Sequence, residues 1–485
     1  MEEYKAKFID FLFQNGLLVS AIPDKDRQLK SKRISPWFLN VGEFNDGLTL
    51  GKLAEAYADV IVDSDIHVDS LFGIPEKGVS LVGPVAVAMA NKGKKVGWFF
   101  TRKIPKEYGE ATGLSSEERR KKEIVGRVPQ DTDTIGFLDD VFTTGDAKYG
   151  VIETLQKLGY SAFSLLAIAL DRQEVGIDGK SAIEEYESKT GIKVISSVKA
   201  TDVLDYLSER LQDTSGNSTE IKRSIERLSN YLRVYGTLNA RKYVEANLGK
   251  LEQKIIERDR SVIPACDVSA IEEFEKLVEQ TADVEGIGGY KIGFELGLGY
   301  GLENVVGAAK KHTSKPIIYD HQKAGTDIPD TGKNFAKLCK KAGVDAVILF
   351  PQSGPETERA WIYHSLDNGL KVIVGGEMTH QGYKRSEGGF ISDDMLDAMY
   401  LIGARAGVSN FVVPGNKIDR IAHYKEILEN EGVSPVFYAP GFIAQGGKIE
   451  DAAKVAGDRF HGIVGRGIYK ADDMKKAAIE HTSQL

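Results

Sequence analysis

A group of charged residues that could act together on a bound substrate lies in the segment YDHQKAGTDIPDTG, Tyr319 to Gly332. The apolar residues just before it predict a buried strand, and Asp320, Lys323 and Asp327 follow the end of that strand. An ion is costly to bury unless it is paired, so two carboxylates around one ammonium indicate a functional array. A carboxylate about 4 Å from Lys323 would favour the protonated lysine by roughly 4 kcal/mol at an effective dielectric constant near 20. Such a lysine can donate a proton; the alternative is a solvated loop with a stabilising ion pair.

A second candidate site lies in the segment IGFLDDVFTTGDA, which begins at Ile135. The apolar residues Ile135 to Leu138 predict a strand that Asp139 and Asp140 end. A turn then precedes a helix predicted from Lys148 to Leu158. Hydroxyl and main-chain N–H groups of such a turn suit a phosphate monoester, and the two carboxylates suit ribose hydroxyls. The turn residues are Thr143, Thr144, Gly145, Asp146 and Ala147.

The first half of the chain contains further units of a strand, a turn and a helix. Ser70 to Phe72 predict a strand before the turn GIPEKG (Gly73 to Gly78), whose N–H groups and Lys77 could hold an anion. Another strand is predicted from Val96 to Phe100. The polar segment GLSSEERRKKE, Gly113 to Glu123, is either a mobile, solvated face or a lid over a charged substrate.

The second half alternates short apolar strands with stretches long enough for a helix, which predicts a (β/α)8 barrel. The predicted strands are Val262 to Asp267, Tyr290 to Phe294, Pro316 to Asp320, Ala346 to Phe350, Lys371 to Gly375, Asn410 to Val413, Val436 to Tyr438 and Gly462 to Val464. Functional residues of this fold lie at the C-terminal ends of the strands. The candidates there are Asp267, Lys291, Asp320, Lys323, Thr379, Gln445 and Arg466.

Length and composition indicate a globular protein of several domains. The chain has 485 residues, 42% of them apolar and 28% charged, and its net charge of -8 disfavours a nucleic-acid-binding function. Cys266 and Cys339 form no CxxC motif, so neither a disulfide framework nor a structural zinc site is predicted. Without a signal peptide or an apolar run of membrane-spanning length, we expect a cytoplasmic protein with no membrane partner. The predicted domains are residues 1–212, a helical connector at 213–258, and residues 259–485.

The first half resembles type I phosphoribosyltransferases, and orotate phosphoribosyltransferases in particular. The segment from Ile135 resembles their motif for phosphoribosyl diphosphate (PRPP), and LKSKRISPWFLN, FGIPEKG and TRKIPKEYGE follow the order and spacing of the family. The resemblance implies a Rossmann-like parallel sheet with a hood, and Mg²⁺ held mainly by PRPP. It places Lys30 and Phe38 near orotate, Lys77, Arg102, Lys103 and Lys106 near diphosphate, Asp139 and Asp140 at the ribose, and Thr143 to Ala147 at the 5′-phosphate. Tyr108, where the family commonly has histidine, and the acidic Asp146 depart from its pattern.

The second half resembles orotidine 5′-monophosphate decarboxylases, which need no cofactor. The resemblance implies a Lys-Asp-Lys-Asp array in which Lys323 protonates the substrate carbon and Asp320 lies against the departing carboxylate. The array residues are Lys291, Asp320, Lys323 and Asp327. EMTHQG implies that Thr379 binds the pyrimidine, and Asp267 and Thr331 would touch the ribose. APGFIAQGG and VGRGI resemble the phosphate site of the family and imply Gln445, Gly446, Gly447, Gly465 and Arg466.

One spacing departs from the decarboxylase pattern. The family has D-x-K-x-x-D, whereas Asp320, Lys323 and Asp327 form D-x-x-K-x-x-x-D. Residues three apart on a regular strand do not share a face, so a bulge or an early turn must bring Lys323 round. Without it, the barrel would be altered or inactive.

Together the resemblances imply that the chain converts orotate and PRPP to orotidine 5′-monophosphate (OMP) and diphosphate, and then OMP to UMP. They also imply a homodimer or higher homo-oligomer, with Asp327 and Thr331 reaching across the interface. Two alternatives stay open at this point. The barrel could be a metal-dependent sugar-phosphate decarboxylase or aldolase, and the first half could be a regulator that binds nucleotide without turnover.

Overall fold

The computed structural model describes residues 1–20, 26–29, 33–102, 116–142, 146–176, 178–213, 219–251, 253–321, 327–442 and 446–485. The chain forms two compact units. The N-terminal unit comprises Met1–Gln28, Ser35–Leu232 and Gly236–Val244, and the C-terminal unit comprises Leu29–Ile34, Arg233–Tyr235 and Glu245–Leu485. The domain limits at residues 212 and 258 stay a prediction.

The N-terminal unit is built on a mostly parallel sheet. Strands before residue 200 are β1 (Leu18–Ser20), β2 (Arg27–Gln28), β3 (Ile34–Ser35), β4 (Trp37–Leu39), β5 (Ser70–Gly73), β6 (Gly97–Thr101), β7 (Ile124–Gly126), β8 (Ile135–Val141), β9 (Phe163–Asp171) and β10 (Lys193–Lys199). Within the described residues, the sheet order is β10-β9-β8-β5-β6-β7, and only the β6–β7 pair is antiparallel. A separate antiparallel ribbon pairs β1 with β4. The predicted α/β class is therefore confirmed.

The helices of residues 1–248 are α1 (Glu3–Gln14), α2 (Gly47–Asp63), α3 (Lys77–Asn91), α4 (Ser116–Glu123), α5 (Asp146–Lys157), α6 (Ala182–Thr190), α7 (Ala200–Asp213), α8 (Thr219–Tyr235) and α9 (Leu238–Leu248), with a 3₁₀ turn at Val41–Glu43. Helix α2 begins where it does because the Asp46 side chain accepts hydrogen bonds from the backbone N–H groups of Leu48 and Thr49. The polar segment predicted as a loop or lid is helical from Ser116 to Glu123, so the prediction of a loop over those residues was wrong.

The described residues of the C-terminal unit form a closed barrel of eight parallel strands, as predicted. The strands are β11 (Arg260–Cys266), β12 (Tyr290–Gly293), β13 (Ile317–Asp320), β14 (Ala346–Leu349), β15 (Lys371–Gly375), β16 (Asn410–Val412), β17 (Val436–Ala439) and β18 (Phe460–Val464). Ala346 and Ile348 of β14 belong to the barrel core. Val347 and Leu349, which alternate with them, are equally buried, so both faces of the strand are covered.

Helices surround this barrel and connect its strands. They are α10 (Ile271–Thr281), α11 (Phe294–Tyr300), α12 (Leu302–Lys310), α13 (Thr331–Lys341), α14 (Pro355–Asp367), α15 (Asp393–Arg405), α16 (Ile418–Asn430), α17 (Ile449–Ala456), α18 (Arg466–Tyr469) and α19 (Met474–Thr482), with a 3₁₀ turn at Arg385–Glu387. Among the described residues of the whole chain, no helix is both long and apolar enough to cross a membrane.

Candidate active sites

A cavity of about 280 Å³ opens at the C-terminal ends of the barrel strands. Each of the eight strands contributes a lining residue, either from the strand or from the loop that follows it. The predicted site residues that line it are Asp267, Lys291, Asp320, Thr379, Gly465 and Arg466. The strand-end rule for barrel enzymes therefore selected side chains that the fold does bring together.

Lys291 is buried and lies at the centre of a charge cluster in this cavity. Its Nζ is 3.4 Å from Asp267 Oδ1 and 3.4 Å from Asp320 Oδ2. Strand pairing explains the arrangement, because Lys291 of β12 is in register with Ala265 of β11 and Gly293 with Asp320 of β13. Burial alone would lower the pKa of Lys291, but the carboxylates of Asp320 and Asp267 outweigh it and raise that pKa. The lysine is therefore a fixed cation held between two acids.

Strand β13 ends at Asp320, so the alternation of side chains on a regular strand stops before Lys323. Lys323 itself lies outside the described residues, and its approach to Asp320 and Lys291 stays a prediction. Asp327 lies in the loop before α13 and Thr331 is the first residue of that helix, and neither is among the described residues that line the cavity. Asp327 is exposed, and its carboxylate accepts a hydrogen bond of 2.7 Å from the Ile328 N–H.

The side of the cavity predicted to bind phosphate is formed by the loops after β17 and β18. Arg466, the first residue of α18, is exposed and lines the cavity together with Gly465. Gly446 has φ +84°, a conformation that favours glycine. Gly447 bonds through its N–H to the Gly441 carbonyl at 3.2 Å, and Gly441 lines the cavity. Gln445 lies outside the described residues.

In the N-terminal unit, each aspartate of the predicted ribose site has its own lysine. Asp139 Oδ2 is 2.6 Å from Lys148 Nζ, and both side chains are buried. Asp140 Oδ2 is 2.6 Å from Lys77 Nζ, and the Lys77 side chain is 59% exposed. Burial raises the pKa of Asp139, and the Lys148 ammonium partly offsets that effect. Both aspartates lie within β8, so the prediction that the strand stops at Leu138 was too short.

The turn GIPEKG packs directly against β8. A Cβ on Gly78 would lie 2.2 Å from the Leu138 carbonyl oxygen, and one on Gly73 would lie 2.5 Å from the Gly78 carbonyl oxygen. Larger residues at these two positions would push the turn away, so the glycines set the place of Lys77 beside Asp140.

Other predicted residues of this unit are only partly described. Phe38 is in β4, paired with Val19 of β1 and half-buried, and Arg102 is exposed directly after β6. Asp146 and Ala147 begin α5. The residues that fall outside the described part are Lys30, Lys103, Lys106, Tyr108, Thr143, Thr144 and Gly145.

Among the residues that the structure describes, no group of three or more His, Cys, Asp and Glu side chains could hold an ion. The carboxylates of Asp139 and Asp140 are each paired with a lysine.

Two polar residues of these sites escaped the sequence analysis. Lys148 is a cation in the first turn of α5, where a helix dipole disfavours positive charge, and that conflict was a usable signal. Glu377 follows β15, lines the barrel cavity and is only 1% exposed. Its position two residues before Thr379 in EMTHQG could have identified it.

Comparison with known proteins agrees with the first of the two resemblances. Orotate phosphoribosyltransferase from Pseudomonas aeruginosa is 35% identical to this chain over 237 residues, which are 49% of this chain and 100% of that protein. The chain belongs to the orotate phosphoribosyltransferase family. This match covers 49% of the chain, so the barrel half is assigned from a separate comparison.

In that half, residues 260–480 match the model of the orotidine 5′-phosphate decarboxylase / HUMPS family. The predicted fusion of a phosphoribosyltransferase with an OMP decarboxylase domain is therefore confirmed. Both signals are consistent with a UMP synthase of pyrimidine biosynthesis.

Each half of the chain is also similar to a solved structure. Orotidine 5′-monophosphate decarboxylase from Methanocaldococcus jannaschii, complexed with the inhibitor BMP, is 28% identical and covers 47% of this chain and 98% of its own, with a TM-score of 0.41. Orotate phosphoribosyltransferase from Francisella tularensis is 28% identical and covers 48% of this chain and 100% of its own, with a TM-score of 0.39.

Proposed function

We propose that the chain is a bifunctional UMP synthase that joins orotate to PRPP and then decarboxylates the OMP that forms. The observation that carries this proposal is the charge cluster of Asp267, buried Lys291 and Asp320 at the C-terminal strand ends of the barrel. The two family matches support it, because one half of the chain would make the substrate of the other half.

In the first reaction, a nitrogen of orotate bonds to the ribose carbon of PRPP and diphosphate leaves. Catalysis here is mainly positioning and charge neutralisation. Lys77, Arg102, Lys103 and Lys106 stabilise the departing diphosphate. Asp139 and Asp140 accept hydrogen bonds from the ribose hydroxyls, and Mg²⁺ enters bound to PRPP as part of the substrate.

In the second reaction, the bond between the pyrimidine ring and its carboxylate breaks, and CO₂ leaves its electron pair on the ring carbon. Lys323 stabilises this charge and donates the proton that completes UMP. Asp320 lies against the departing carboxylate, while Lys291 and Asp327 hold Lys323. The barrier reduction required is on the order of 20 kcal/mol, so charge placed before substrate arrives is the main resource of this site.

Binding energy from the remote phosphate group would assist this step. Arg466, Gln445 and the glycines around them bind the phosphate, and Thr379 binds the pyrimidine. Asp327 and Thr331 would complete the site across a subunit interface. A homodimer or larger homo-oligomer in the cytoplasm is therefore part of the proposal, and a monomeric mass under active conditions would refute the shared site.

The alternative that the barrel is a metal-dependent sugar-phosphate decarboxylase or aldolase needs its own test. The purified full-length chain is given OMP in the presence of EDTA, and UMP formation is followed, with Lys323→Ala as the control. We expect the wild type alone to form UMP. Loss of decarboxylation on chelation would favour a metal-dependent barrel, and absence of UMP under all conditions would leave only the transferase.

A further inference from the structure

Glu377 is a carboxylate at the barrel cavity with several partners among the described residues. Its Oε2 accepts hydrogen bonds of 2.7 Å from Arg420 Nε and 2.7 Å from the Tyr424 hydroxyl. Its Oε1 lies 3.1 Å from Lys417 Nζ and 3.3 Å from Lys384 Nζ. A side chain held by four donors in a buried position has very little freedom to move.

Contacts of this kind hold both ends of the short loop of residues 378–382. Lys384, which bonds to Glu377, follows the loop of residues 378–382, so their ion pair closes it. Beside that pair, the Tyr383 hydroxyl donates a 2.8 Å hydrogen bond to the Gly376 carbonyl. Met378 and Thr379 belong to this loop, which the ion pair and the hydrogen bond hold at its two ends, and both line the cavity. The loop that presents Thr379 therefore has fixed ends.

The contacts around Glu377 also involve the loop that follows the next strand, β16. Asn416 donates a 3.1 Å hydrogen bond from Nδ2 to the Thr379 carbonyl, and its neighbour Lys417 binds Glu377. These bonds fix the main chain of Thr379 from a second direction. The position of the Thr379 side chain thus depends on the charge cluster around Glu377.

A second buried glutamate shows that this arrangement is specific. Glu358 of α14 is also 1% exposed, but its Oε1 has no hydrogen-bond partner among the described residues, and burial raises its pKa well above the usual value. For Glu377, burial also acts to raise the pKa, but hydrogen bonds from Tyr424, Arg420 and Lys417 reverse the balance and lower it. Of these two separate glutamates, Glu377 is the one whose partners favour the charged form.

We propose that Glu377 is a positioning residue for decarboxylation, which acts by holding the 378–382 loop so that Thr379 meets the pyrimidine of the substrate. This inference rests on the proposed function of the barrel. It assigns to Glu377 an effect on catalysis that passes through Thr379 and not through the phosphate contact of Arg466.

Two double-mutant cycles on the full-length chain test this proposal by measuring kcat/KM for OMP. We expect Glu377→Gln to lower kcat/KM about 10²-fold, since a displacement near 1 Å at a reacting site can cost that much. In the Thr379→Ala background, the further loss should be small, because the contact that Glu377 supports is already gone. In the Arg466→Ala background, the loss from Glu377→Gln should be undiminished.

The matched control is Glu358→Gln, which alters a buried glutamate away from the cavity and should leave kcat/KM within about twofold. The proposal would be overturned if Glu377→Gln lowered kcat/KM equally in the Thr379→Ala and Arg466→Ala backgrounds. It would also be overturned if Glu377→Gln alone left kcat/KM unchanged. Should Glu377→Gln fail to fold, Lys384→Met carries the same two cycles. A wild type that forms no UMP would instead refute the proposed function, so the two failures are distinguishable.

Discussion

The two halves of the molecule hold their acids and lysines in different proportions. In the N-terminal unit, Asp139 and Asp140 each have a lysine at 2.6 Å, so the charges balance. In the described part of the barrel, Lys291 is shared between two carboxylates at 3.4 Å each, a ratio of two acids to one lysine. The first arrangement suits a site that must receive an anionic substrate, and the second suits a site that must hold a further cation.

The two lysines of the N-terminal unit also differ from each other. Lys148 has a side chain only 5% exposed and bonds as well to the Val141 carbonyl at 3.2 Å. Lys77, the first residue of α3, has a mostly exposed side chain, and in the proposed reaction it would exchange Asp140 for diphosphate. One pair is therefore part of the fold, and the other is available for exchange with substrate.

The largest expected effect is on the barrel. Lys291→Met leaves two carboxylates without their shared cation, and we expect decarboxylation of OMP to fall by about 10³-fold or more. Diphosphate release from orotate and PRPP by the same preparation should be unchanged. A parallel fall in both activities would contradict the separation of the two sites.

The next effect concerns stability in the N-terminal unit. Lys148→Ala leaves the buried Asp139 without its partner, and breaking a buried pair in this way costs about 3–5 kcal/mol. Hydrogen exchange of the β8 amides, Ile135 to Val141, measures the local free energy of opening. Exchange at the wild-type rate would show that the pair contributes nothing to the fold.

The pH dependence of stability should separate the halves. Burial lowers the pKa of His461 in β18 to about 3, while an unfolded histidine titrates near 6.5. Between these values the unfolded chain binds the extra proton, so stability falls as pH falls through this window. At pH 4 the loss is about 3 kcal/mol for the barrel. Urea unfolding of wild type and His461→Gln at pH 7 and pH 4 checks this, and an equal pH dependence in both would contradict it.

The smallest expected effect on stability is at Lys77. Asp140 is buried, but the Lys77 side chain is 59% exposed and water can take its place, so Lys77→Ala should speed exchange of the β8 amides much less than Lys148→Ala does. Transferase activity should still fall, by about tenfold, because in the proposed reaction Lys77 contacts diphosphate. The comparison with Lys148→Ala fails if Lys77→Ala destabilises β8 to the same extent.

Sequence patterns predicted the barrel well because its parallel strands are buried on both faces and appear as short apolar runs. Asp267, Lys291 and Asp320 were found because charges at the ends of such runs are conspicuous. Three partners of Glu377 could not be found this way, since Lys417, Arg420 and Tyr424 lie 40 residues or more along the chain. Helix formation from Ser116 to Glu123 was missed because that segment has no apolar stripe.

The most direct test of the account is a single-vessel assay with orotate, PRPP and Mg²⁺, in which OMP and UMP are separated over time. The wild-type chain should convert orotate to UMP with release of diphosphate and CO₂, and Lys291→Met should stop at OMP. Formation of UMP by Lys291→Met at the wild-type rate, or the absence of OMP from both proteins, would contradict the assignment of two successive reactions to the two halves of this chain.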